Sequence, residues 1–132
     1  MGVPTGNSME PFEYAVLRAM PRVDRGESVN VAVVLYCQAT QYLECISHVD
    51  ESWLRKLDPE VDVQAVRGVL SGIEAICSGA PEAGPAGQEP VRVRFGWLTA
   101  PRSTIVQPGP VHCGLTENPD SQLATLATRL LG

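Results

Sequence analysis

VNVAVVLYC, residues Val29–Cys37, decides the fold. Val29, Val31, Val33, Val34 and Leu35 leave neither face of an extended chain polar. Such a β-branched run belongs in the middle of a sheet that is covered on both sides, or nearly so. Immediately after it, residues 38–41 are polar and turn-forming, and residues 42–48 resume a strand pattern, so the two runs read as a hairpin. Before it, residues 12–20 alternate. Phe12, Tyr14, Val16 and Met20 share one face, and Glu13, Ala15, Leu17 and Ala19 share the other. Arg18 falls on the aromatic face, where a charge must find a partner or an edge. Pro21 ends this strand, and residues 22–28 form a charged connection containing Gly26.

Further out the period changes. Asp50 is placed to cap a short helix carrying Trp53, Leu54 and Leu57, and Asp62 to cap a longer one. Val63, Val66, Val69, Leu70, Ile73, Ile76 and Cys77 recur there at three- and four-residue steps, the mark of one buried stripe. Gly79 closes that helix. Residues 78–90 have little to bury and read as a flexible excursion. Residues 91–98 look strand-like, and residues 104–106 and 111–115 flank a turn at Gln107-Pro108-Gly109-Pro110. Asn118, Pro119 and Asp120 open a last helix with the stripe Leu123, Leu126, Ala127 and Leu130. The expected architecture is α+β: an antiparallel sheet of four or five strands, packed with two main helices and one short helix. Residues 1–11 read as a flexible tail, and residues 12–132 as a single domain.

Composition limits the chemistry. The net charge is −5, which gives no attraction to nucleic acid or to an anionic membrane surface. No stretch reaches the roughly 20 apolar residues of a membrane helix, and the start lacks the basic end and apolar core of a signal peptide. A cytoplasmic location is therefore expected, with Cys37, Cys45, Cys77 and Cys113 as free thiols. Lys56 is the single lysine beside nine arginines, a bias that reads as the codon usage of a GC-rich bacterial genome. No paired Cys or His spacing suggests a metal, and no phosphate loop or nucleophile elbow suggests a cofactor or a covalent mechanism. No cofactor is expected. Gly68 and Gly72, four apart on the long helix, read as a close-packing face.

Two polar clusters stand out. Between Glu89 and Glu117 there is no acidic residue, while Arg92, Arg94 and Arg102 are present. Arg102, Ser103 and Thr104 could converge on an anion. If Pro108-Gly109 makes a hairpin turn, His112 falls opposite Ile105 on the face of Ser103, available as a donor or acid–base group. The second cluster is Arg18, Arg22, Arg25 and Asn30, with Glu27 beside them. The bland alternatives are that Arg102 or Arg18 pairs with Glu27 and that His112 satisfies a backbone carbonyl. The sharper one is that both clusters meet in one anion-accepting face.

Three stretches carry a likeness to a known family: FEYAVLRAMPRVDRGESVNVAVVLYC (residues 12–37), LDPEVDVQAVRGVLSGIEAIC (57–77) and FGWLTAPRSTIVQPGPVHCGLTENPDSQLATLATRLL (95–131). Together they resemble the domain-of-unknown-function family 3037 over nearly the whole chain. Val31-Ala32-Val33 departs slightly from the family's Val-Gly-Val but keeps the small residue. The resemblance implies no activity. It does imply a genetic neighbourhood, since genes for such proteins often lie beside one for a HipA-like kinase. The expected function is thus an interaction or regulatory domain, with a HipA-like kinase as the specific partner and homo-oligomerisation as a further possibility. The alternative is a small enzyme or ligand-binding protein that takes an anionic small molecule on its Arg/Ser/His face. Only two histidines and no acid–base pair by spacing weigh against an enzyme.

Overall fold

The computed structural model describes residues 9–102 and 104–131. Five strands form one antiparallel sheet: β1 (Glu10–Ala19), β2 (Val29–Cys37), β3 (Tyr42–Ser47), β4 (Val106–Pro108) and β5 (His112–Thr116). Four α-helices accompany them: α1 (Glu51–Leu57), α2 (Val63–Ser78), α3 (Val91–Leu98) and α4 (Pro119–Leu131). The fold is α+β. β2 lies between β3 and β1, and residues 31–37 are all buried, as their two-sided apolar character requires.

The sheet is covered on both sides. Leu17, Ala32, Val34 and Tyr36 pack with Leu54, Val66, Leu70, Ile73 and Phe95 on the side of α1, α2 and α3. Phe12, Val16, Val33, Leu35 and Cys37 pack with Leu123 and Leu126 of α4 on the other. Arg18 pairs with Asn30 after a bulge that leaves Val31 as the extra residue of β2. Helix starts follow the expected caps. The Asp50 carboxylate accepts from the Trp53 N–H at 3.0 Å and the Asp62 carboxylate from the Ala65 N–H at 3.0 Å. The Asn118 amide oxygen accepts from the N–H groups of Asp120 and Ser121, with Pro119 in the first turn.

Four expectations need correction, the first at the tail: Glu10 and Pro11 belong to β1, paired with Thr116 and Leu115, and residues 1–8 lie outside the described residues. Residues 91–98 are helical: their period-two Val-Arg-Val-Arg pattern masks the spacing Val91, Phe95, Leu98, which seats α3 on the sheet. Residues 78–90 are not a free excursion, because a 3₁₀ segment, Pro81–Gln88, folds back onto the end of α2. Finally, Pro108-Gly109 is not a hairpin turn. β4 pairs with residues 17–19 and β5 with residues 10–14, so the two strands run one after the other along the same edge of β1. Gly109 itself donates to the Val16 carbonyl at 2.8 Å. His112 therefore faces Tyr14, not Ile105.

Candidate functional site

The side chains that could meet a partner lie in two places, one on each side of the sheet. On the α2 side, the site starts from the helix end. Gly79 takes the left-handed conformation (φ 71°) that closes α2, and its N–H reaches the Ala75 carbonyl. Arg94 from α3 then donates to the last carbonyls of α2, at 2.8 Å from Ile76 and 3.0 Å from Cys77, and to the Glu89 carbonyl at 2.7 Å. A cation at a helix C-terminus meets the negative end of the helix dipole, so one arginine fixes α2, α3 and the 3₁₀ segment together. Cys45 and Cys77 lie beneath; burial pushes the Cys77 thiol up to about 12 and raises that of Cys45 as well, so neither serves as a thiolate near neutral pH.

The result is a groove of about 780 Å³ whose lining includes Val69, Gly72 and Ile76 of α2, Ala83, Trp97 and Arg102. Trp97 is 45% exposed and Val69 37% exposed. Gly68 and Gly72 are both exposed, and a Cβ at either would meet nothing within 4 Å. Among the described residues they are therefore not the close-packing face that their spacing suggests. Two interior helix glycines cost about 1 kcal/mol each relative to alanine, and among the described residues no contact accounts for them. The apolar stripe of α2 is wider than its cover.

On the α4 side, helix α4 lies mainly over β2 and β3, and Phe12 and Val16 of β1 join its Leu123 and Leu126 in one cluster. Tyr14 and His112 stand with ring centroids 5.1 Å apart, and Phe12 lies 6.0 Å from Tyr14. The Phe12 ring crosses Gly114, where a Cβ would come within 2.9 Å of it. The Arg18 guanidinium lies over Gly109 in the same way.

The residues singled out in the sequence do not converge. Arg102 lines the α2 groove and donates to the Trp97 carbonyl at 2.5 Å, whereas His112 lies tilted against Tyr14 on the opposite side of the sheet. Thr104 donates to the Val106 carbonyl, two residues on, at 2.8 Å. Ser103 lies outside the described residues. Arg22 is paired with Asp24 at 3.4 Å, which holds the Asp24 carboxyl below its usual range, and Arg25 approaches Glu27 at 3.7 Å. Both pairs are exposed and carry little energy. Asn30 donates to the Leu130 carbonyl at 3.1 Å and so closes the last turn of α4.

A family model described as a protein of unknown function, DUF3037, matches residues 14–131, from Tyr14 of β1 to the end of α4. The chain belongs to the DUF3037 family. No curated protein and no solved structure matches it. Two residues of this DUF3037 chain, Trp97 and Val69, belong to the site although the sequence does not single them out. Trp97 stands in a run with a strand-like pattern, and Val69 shares the period of the buried stripe. The signal that could have found them is Gly68-Val69 beside Gly72: two glycines in a helix whose stripe is complete without that flank.

Proposed function

We propose that this DUF3037 protein is an interaction domain that docks a protein partner in the groove between α2 and α3. The observation that carries the reading is the exposed Trp97, which lines a groove with Gly72 of α2, where no side chain fills the helix flank. Tryptophan is enriched among residues that dominate binding energy, and a flank without side chains lets another backbone approach closely. The net charge of −5 favours a basic partner through long-range steering. A HipA-like kinase is the specific candidate; it rests on what the family resemblance implies, and an accessory or regulatory role in the cytoplasm would follow from it. The anion-binding alternative needs Arg102 and His112 together, and their separation by the sheet removes its geometric basis.

The test is a binding titration of the purified chain with a co-encoded HipA-like kinase. Trp97→Ala is expected to weaken binding by about 2 kcal/mol or more, the range of a dominant interface residue, and Gly72→Gln to weaken it by filling the groove. Melting temperatures should stay near wild type, since both positions are exposed. Unchanged affinity in both variants would refute the groove as the docking site.

A further inference from the structure

The edge strand β5 carries an inference independent of the groove. Gly109 donates its N–H to the Val16 carbonyl at 2.8 Å, so Val16 turns its backbone polar groups toward the β4–β5 edge. Backbone direction alternates along a strand, and no bulge interrupts β1 between residues 10 and 17. Tyr14, Phe12 and Glu10 therefore also face β5, and their partners His112, Gly114 and Thr116 face inward. The N–H and C=O groups of Cys113 and Leu115 point away from the sheet. Among the described residues no strand pairs with that edge.

Exposed side chains line this stretch, that of His112 included. Leu115 is 59% exposed and Val111 42% exposed, and Cys113 is exposed between them. No charged residue occurs from position 103 to position 116, in a chain of net charge −5. Sheet edges are ordinarily protected by charges, often lysine. The opposite edge, β3, carries Glu44 and has Asp120 beside it; β5 carries no charged residue of its own, and Glu13 of β1 stands opposite Cys113.

We propose that a second copy of this chain pairs its β5 antiparallel with this one, about a twofold axis at Cys113. In that register the two Cys113 residues exchange a pair of hydrogen bonds. Each Leu115 faces the other copy's Val111, and each His112 faces Gly114, so the edge is complementary to itself. β5 itself carries no charge, so the two strands in contact bring no like charges directly opposite each other, and Glu13 of each copy lies one strand back. The contact is isologous and closes as a dimer, and Glu44 at the far edge disfavours growth into longer sheets. A contact of this size belongs to the weak class, so association depends on concentration.

Sedimentation of the full chain over a wide concentration range tests this. A reversible monomer–dimer equilibrium is expected, and Leu115→Lys should raise its dissociation constant by about tenfold or more with no change in melting temperature. A short bifunctional maleimide should link the wild-type dimer through Cys113, and Cys113→Ser should abolish the link. A full chain that stays monomeric throughout overturns the proposal, whether the edge is then free, held by the N-terminal segment or reserved for a foreign strand. A dimer that Leu115→Lys leaves intact, or one cross-linked through another cysteine, overturns it equally.

Discussion

The two sides of the sheet are built differently. The α2 side has three helices and a 3₁₀ segment, locked by Arg94 on three backbone carbonyls. The α4 side has one helix, held at its start by Tyr42 on Asp120 (2.9 Å) and at its end by Asn30 on Leu130. Toward β5 that side carries the rings of Phe12, Tyr14 and His112. A layer held by a single helix over half a sheet has room to relax or open, whereas a layer of several mutually braced segments does not. Local stability should follow the same order, with α4 amides exchanging before those of α2.

The largest effect should come from emptying the better-covered side. Leu70 on α2 is 2% exposed within the larger cluster. Leu70→Ala should cost about 3–5 kcal/mol, the upper range for a leucine whose cavity cannot collapse. Leu126→Ala on α4 should cost about 2–3 kcal/mol, because the helix can settle toward the β5 side. Denaturant unfolding measures both, and equal losses would break the contrast.

The next effects separate the two sets of fastenings. Arg94→Met leaves the last carbonyls of α2 without their cation and should cost about 1–3 kcal/mol. Asn30→Ala removes one neutral hydrogen bond to the last turn of α4 and should cost about 1 kcal/mol. A larger loss at Asn30 than at Arg94 would mean that α4, not the α2 assembly, is the better-braced layer.

Much of this architecture is legible in the amino-acid sequence. The centre of the sheet follows from Val29–Cys37, and three helix starts follow from Asp50, Asp62 and Asn118, because caps and periodicity are local properties. The features that stay hidden depend on cover. Val91–Leu98 alternates by residue type, and only the sheet beneath it selects the helix. Gly109 between two prolines looks like a turn, and only β1 beside it shows a continuing edge. Val69 belongs to the α2 stripe by period, yet it stays 37% exposed on the groove, so periodicity cannot reveal the groove. Asn30, Arg22 and Thr104 look like ligand groups because a sequence shows polarity and not partners. Each has a partner within the chain.

The smallest effect sharpens the contrast through charge. On the α2 side the Ser47 hydroxyl donates to Glu74 at 2.9 Å, a favourable contact between sheet and helix. On the α4 side Glu44 of β3 has its pKa raised, by partial burial first and by the charge of Asp120 second. The folded state thus holds the Glu44 proton more tightly than the unfolded chain does. Its contribution to stability is full below the unfolded carboxyl pKa, near 4.3, and is lost as pH rises through the folded value. At neutral pH the ionised Glu44 is therefore a small burden, screened by solvent because the residue is largely exposed. Glu44→Gln should stabilise the protein by a few tenths of a kcal/mol at pH 7, and the gain should vanish below about pH 4. Asp120→Asn keeps an oxygen for the Tyr42 hydroxyl while removing the repulsion, so the gain from Glu44→Gln should shrink in that background. Thermal unfolding of the four variants across pH measures the cycle. A loss of stability in Glu44→Gln at pH 7 would show that Glu44 has a favourable partner, and the two sides would then be electrostatically alike.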